Sequence, residues 1–221
     1  MGIFGRLLEA PEYKDIIAGS AGLELADSIT GDGHKLLNVP YDSGFFFSRH
    51  RDIASRVFEN PNAAYLGSGP AMDTIMSPLD NGMENSRRLR ALPVYASLTA
   101  YGRDGYRAML ERQVNLARGI AEFLANNDHF ELLPKLEGGL VENIKHVFMI
   151  VIFRAKDEGL NNELTNRIKA TRKIYVSGTV WKGKPASRFA VAHWKADASR
   201  DLPYIKQVLS EVVESWKSKM T

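Results

Sequence analysis

The hydrophobic period of this chain changes once, near residue 128, and that change constrains the fold more than any other feature. Between about Asp104 and Asn126, Met109, Leu110, Val114, Ala117, Ile120, Ala121 and Leu124 recur at helical spacing. Beyond 128 come four strand-length apolar runs: HFELLP, HVFMIVIFR (146–154), KIYVSGTV (173–180) and SRFAVAHW (187–194). A helical segment, LNNELTNRIKATR, separates the second from the third. A final segment carries Leu202, Ile205, Val208, Leu209, Val212, Val213 and Trp216 on one face. Short strands with interleaved one-faced helices predict an α+β unit built on an antiparallel sheet over 128–221. Residues 1–127 then form a separate domain.

Upstream of the boundary, PEYKDII (11–17) reads as a short helix with Pro11 in its first turn. Leu23 to Thr30 predicts a strand that leads into the turn GDGHK, and Gly44 to Ser48 predicts another. The continuous Phe45–Phe46–Phe47 run implies burial on both faces. RDIASRVF (51–58) is helical in pattern. Residues 59–83 are rich in proline and glycine and predict a long loop of the kind that covers a site. A long helix is expected from about Glu84, kinked or broken at Pro93.

Composition excludes several classes. The 221 residues are 44% hydrophobic and 25% charged, as in an ordinary globular protein. The net charge of +3 comes from basic residues scattered among acids, which gives no nucleic-acid footprint. There is no cysteine, so disulfides, thiolate chemistry and cysteine zinc sites are impossible. Five histidines without His-x-x-x-His spacing give no support for a metal. No apolar run reaches membrane-span length, and the start MGIFGR has no signal-type core. A cytoplasmic protein with no membrane partner is the expectation.

The chemistry concentrates at residues 31–35, Gly-Asp-Gly-His-Lys. A lysine held in a tight turn at a strand end, and partly desolvated, is shifted toward the neutral amine. A neutral amine attacks aldehydes, and pyridoxal 5'-phosphate (PLP) is the usual partner of a Schiff-base lysine. His34 is placed to bond such a cofactor, and Gly31 and Gly33 let the backbone pass close to a planar ring. By itself a His-Lys pair is a weak motif, since most lysines beside turns are simply solvated.

A longer pattern adds to that reading. ADSITGDGHKLLNVPYDSGFFFSR resembles the cofactor-lysine segment of the group II PLP-dependent amino-acid decarboxylases, which include aromatic amino-acid, tyrosine and glutamate decarboxylases. The resemblance continues through ENSRRLRALPVYASLTAYGRDGYRAMLERQVNLA (84–117) and VSGTVWKGKPASRFAVAHW (176–194). It implies an α/β chain of partial fold type I: residues 1–127 as the C-terminal part of the PLP-binding large domain, and 128–221 as the α+β small domain. It also implies that Lys35 is the catalytic, cofactor-binding lysine, that His34 lies against the cofactor, and that the substrate is an amino acid. The loop 59–83 corresponds to the family's catalytic loop, and its Tyr65 lies too near the start to inherit a proton-donor role. Arg188 either meets a substrate carboxylate or makes a surface ion pair.

In one respect the chain departs from the family. The aspartate that pairs with the pyridinium nitrogen belongs to an Asp-x-Ala-Phe-Gly-like segment, and here that place is taken by Met1 of Met1-Gly2-Ile3-Phe4-Gly5. The resemblance therefore covers the C-terminal half only. It leads to the expectation of a truncated decarboxylase homologue that is weak or inactive alone. Such a chain is a homodimer, a partner of a full-length homologue, or a non-catalytic dimerisation fragment. Strands near Ser28 and Phe45 would then present open edges and an apolar face.

Among smaller signals, Asp27 and Asp32 suit turn capping, and Ser28 and Thr30 fit strand alternation or a phosphate contact. Arg87, Arg88 and Arg90 suit ion pairs, a solvated helix face or a phosphate.

Overall fold

The computed structural model describes residues 2–58, 82–84, 86–135 and 137–220. All of the expected loop except Gly82 and Met83, and with it Tyr65, lies outside them. In chain order the elements are α1 (Lys14–Ala18), β1 (Ser28–Asp32), α2 (Gly33–Leu36), β2 (Gly44–Ser48), α3 (Arg51–Phe58), α4 (Ala91–Ala125), β3 (Phe130–Leu133), α5 (Gly139–Lys145), β4 (Ile150–Ala155), α6 (Glu158–Ala170), β5 (Ser177–Trp181), β6 (Lys184–Ala190) and α7 (Ala198–Met220). They fall into two compact units, one of Met1–Ala21 with Tyr101–Thr221, the other of Gly22–Ala100. Among the described residues no helix is long and apolar enough to cross a membrane.

The first unit holds the expected antiparallel sheet, in the order β3-β4-β6-β5. On β4, Val151, Phe153 and Ala155 are buried in alternation, as the two-residue period of a strand with one covered face requires. Phe153 stacks on Phe189 with ring centroids 5.3 Å apart and meets Phe130 edge-on at 5.9 Å. The predicted stripe of α4 supplies Ala117, Ile120, Ala121 and Leu124 to this core, α6 adds Leu160, Leu164 and Ile168, and α7 adds Leu209, Val212 and Val213. Each large side chain buried in this way contributes roughly 1.5–3 kcal/mol. The Asp157 carboxylate caps α6, accepting from the Leu160 N–H at 2.6 Å.

Arg118 ties the amino-terminal segment to this unit. Its guanidinium donates to the carbonyls of Lys145 (2.8 Å), Glu12 (3.2 Å) and Val147 (3.4 Å), and it lies 5.2 Å from the centre of the Tyr13 ring. Partial burial pushes its pKa down from the usual arginine value.

Two expectations about helices are corrected. The helix does not run from Glu84; it begins at Ala91, so that Pro93 falls in the first turn. There its missing N–H leaves nothing unpaired, whereas a helix starting at Glu84 would need that N–H for the Leu89 carbonyl. The break expected at Pro93 occurs instead at Gly102, with φ 58° and ψ −175°. The short α5, between β3 and β4, has no counterpart in the sequence reading.

In the second unit β1 and β2 form a two-stranded antiparallel ribbon, with Ile29 opposite Phe47 and Gly31 opposite Phe45. The strand begins later than expected, because Leu23–Leu25 form a 3-10 turn entered through Gly22 at φ 83°. Burial of the phenylalanine run on both faces is not found: Phe46 and Phe47 are 61% and 60% exposed. Among the described residues no third strand pairs with this ribbon, so its outer edges are open as expected, while the exposed Phe46 and Phe47 stand on opposite faces.

Packing joins 2–21 and most of α4 to the sheet, whereas the family resemblance divides the chain at 127 and 128.

Candidate cofactor site around Lys35

β1 ends at Asp32 and α2 begins at the next residue, so His34 and Lys35 stand in a single helical turn on a strand end. The chain clamps this turn from the β2 side. The His34 N–H donates to the Ser43 carbonyl at 3.2 Å, and the Leu37 N–H donates to the Gly33 carbonyl at 3.0 Å. Thr30 Oγ1 donates to the Phe45 carbonyl at 3.2 Å. Leu36 and Leu37 are buried beneath, and the Leu37 carbonyl accepts from Ser97 Oγ at 2.7 Å.

The glycines are required by close approach, though not to a cofactor. A Cβ on Gly33 would lie 2.5 Å from Ser43 Oγ, and one on Gly31 would lie 2.4 Å from the Phe45 ring. The room that the sequence suggested for a planar ring is filled there by the chain's own side chains.

His34 Nδ1 lies 3.3 Å from the Ser43 carbonyl. A carbonyl can only accept, so this bond needs the Nδ1–H tautomer and leaves Nε2 as an acceptor. The ring also packs at 4.4 Å, tilted by 38°, against Tyr41. Lys35 is not the desolvated amine expected. Its side chain is 47% exposed, and Nζ lies 2.5 Å from Asp32 Oδ2. The Lys35 ammonium holds the Asp32 carboxyl below the usual carboxylate range, and desolvation opposes it.

The arginines of 87–90 precede α4 rather than standing on it. Arg88 grips both Asp42 oxygens, at 2.9 and 2.5 Å, and Arg90 reaches Asp42 at 3.4 Å. Arg90 also pairs with Glu84, as does Arg87 at 3.7 Å. Arg88 holds the Asp42 carboxyl low, and Arg90 does the same to Glu84. These cations are thus engaged by carboxylates of their own chain. Asp42 and Ser43 were missed by the sequence reading. Their signal is the turn chemistry of Tyr-Asp-Ser-Gly (41–44), but the partners lie too far along the chain to be inferred. Asp27 bonds His50 at 3.3 Å. Arg188, on β6, donates to Ser177 Oγ at 3.2 Å.

Tested against these residues, PLP needs an amine, donors for its phosphate and groups against its ring. Lys35 fits the first requirement, as a reachable primary amine on a clamped turn. His34 fits as a neighbouring ring, and its Nε2 becomes a donor to an anion when protonated.

Comparison with known proteins finds that the pyridoxal-dependent decarboxylase conserved domain matches residues 4–144. The aromatic-L-amino-acid decarboxylase of Sus scrofa is 28% identical over 199 residues, which are 88% of this chain and 37% of that protein. Tyrosine decarboxylase 2 of Arabidopsis thaliana is 29% identical over 197 residues, 85% of this chain and 33% of that one. A crystal structure of Oryza sativa TDC with PLP and tryptamine superposes with TM-score 0.70 at 25% identity, covering 91% of this chain and 42% of that chain. The chain therefore spans about a third of the length of these curated relatives. The architecture is that of a partial fold-type I α/β protein.

Proposed function

The chain belongs to the pyridoxal-dependent decarboxylase family, and from that premise we propose that it supplies the lysine half of a PLP-dependent amino-acid decarboxylase site. Lys35 is the residue that takes the cofactor aldehyde, and His34 lies beside the bound ring. Residues 1–127 are the C-terminal part of the PLP-binding large domain, and 128–221 the small domain. One observation carries the reading: within the family match, a half-exposed primary amine stands next to a histidine on a turn fixed by its neighbouring strand.

PLP, when bound, draws in the electron pair of the bond that breaks at the amino acid's carboxylate. The chain's own residues do the rest. Lys35 Nζ must first leave Asp32 and lose a proton. Protonated again, the same amine would serve as a proton source for the substrate carbon. His34 is oriented through Nδ1, so Nε2 faces away from Ser43 and can hold a proton shared with a bound anion. With Lys35 Nζ engaged by Asp32, the chain alone holds the cofactor loosely and turns over slowly. A cytoplasmic location belongs to the same proposal. The amino acid decarboxylated is left as a class.

The test is to incubate the chain with PLP, reduce with borohydride and map the labelled peptide. A pyridoxyl group on Lys35, lost in Lys35→Ala, is the expected result. Labelling spread evenly over exposed lysines rejects the assignment.

A second reading, a non-catalytic module that pairs with itself or with a full-length homologue, draws on the exposed Phe46, Phe47, Ile53 and Val57 of the second unit. An unlabelled Lys35 in a stable oligomer favours it.

A further inference from the structure

We infer that Asp32 is a positioning residue for Lys35: its carboxylate holds the free Nζ as an ion-paired ammonium and slows attack on aldehydes until the pair is opened. The inference rests on the reading of Lys35 as the cofactor-binding amine, and its test does not use PLP.

The first observation is geometric. Asp32 stands at the N-cap position of α2 with φ −96° and ψ 107°, where an aspartate usually accepts a backbone N–H. Here it makes no such bond, and Oδ2 is given to Lys35 Nζ at 2.5 Å.

The second observation is that the turn is fixed independently of that pair. Gly33 is packed against Ser43 with no space for a Cβ, and the His34 N–H is anchored on the Ser43 carbonyl. The positions of residues 32 and 35 are therefore set by the backbone, rather than by two long side chains meeting on an open surface. Among the other titratable groups around the turn, His34 also acts on the Asp32 carboxylate through space. His34 is directed to Ser43 and Tyr41, and Asp42 is taken by Arg88 and Arg90.

The chemistry follows from the lone pair. An amine adds to an aldehyde when Nζ has given up a proton; nitrogen then forms the new C–N bond, and the aldehyde oxygen leaves as water. The Asp32 carboxylate at 2.5 Å engages Nζ directly, so the pair must part before an aldehyde carbon can take that place against the nitrogen. Opening the pair, by displacement of either partner, releases the amine.

The experiment is limited reductive methylation of the full chain with formaldehyde and cyanoborohydride at about pH 7.5. Peptide mass spectrometry gives the initial rate at Lys35 relative to Lys156 and Lys206. Asp32→Asn is expected to raise the relative rate at Lys35 by about threefold, the scale of one partly exposed ion pair. Asp32→Glu, which keeps the charge, is expected to stay near the wild-type rate. Equal rates in wild type and Asp32→Asn overturn the inference, as does a rise shared by all lysines, the mark of unfolding. A threefold effect with formaldehyde alongside failure of PLP to label Lys35 leaves the pairing standing and removes the decarboxylase reading. The reverse result does the opposite.

Discussion

A single methyl group added at Gly33 would meet Ser43 Oγ at 2.5 Å and Ser43 Cβ at 3.3 Å, so the turn that presents Lys35 depends on the absence of a side chain. Gly33→Ala is expected to cost about 1–3 kcal/mol, the usual penalty for overpacking a buried contact. Denaturant unfolding measures that cost. The same variant should disturb the His34 anchor, because the Ser43 atoms that must move belong to the residue whose carbonyl holds it. The turn that carries His34 and Lys35 was legible in the sequence because it is local: five consecutive residues form it. The actual surroundings were not. The Asp32 partner of Lys35, the Phe45 ring over Gly31 and the Asp42 grip on Arg88 depend on side-chain positions, and the last of these joins residues 46 apart in sequence.

At the scale of elements, periodicity located most of the first unit. The α4 stripe, four strands, α6 and the apolar face of α7 were all readable, because each buries one face and so repeats at 3.6 or 2 residues. The α4 break was assigned to the wrong residue. Proline is an obvious breaker, but its effect depends on where the helix starts, and that is decided by packing. At Gly102 the pair φ 58° and ψ −175° belongs to a region that residues other than glycine almost never occupy. Gly102→Ala is therefore expected to destabilise by about 1–3 kcal/mol although no atom crowds the new methyl group. Pro93→Ala, in the first turn, should have little effect. Thermal unfolding of the two variants side by side distinguishes these origins of the break. Arg118→Ala removes a guanidinium from three backbone carbonyls and is expected to cost about 2–4 kcal/mol, read in the same assay.

At the scale of the whole molecule, charge and exposed apolar surface set the behaviour in solution. Glu131 is held below its usual range first by Arg154, at 2.6 Å, and further by Lys135. A carboxylate lowered on folding adds stability that is fully present above its unfolded value and is lost as pH falls through its folded one. Stability should thus decline below about pH 4.5, and Glu131→Gln should flatten that decline while lowering stability at neutral pH. Acid titration followed by circular dichroism checks both. The apolar surface makes a sharper demand. Among the described residues, large exposed side chains are concentrated in the Gly22–Ala100 unit, where Phe46 and Phe47 lie on a ribbon whose two strands pair with each other alone. A two-stranded ribbon is marginal in water without another layer, so its phenylalanines favour association. Each aromatic ring buried at a contact removes some 150–250 Å² from water. Phe46→Ser with Phe47→Ser should therefore weaken self-association by about tenfold or more, on the usual area scale. Sedimentation across a concentration series measures it. The double variant should leave the sheet unit's spectrum intact, since neither ring belongs to that core. If association is unchanged by the loss of both rings, the ribbon is not what brings copies together, and the module reading is left with Ile53 and Val57 of α3 alone.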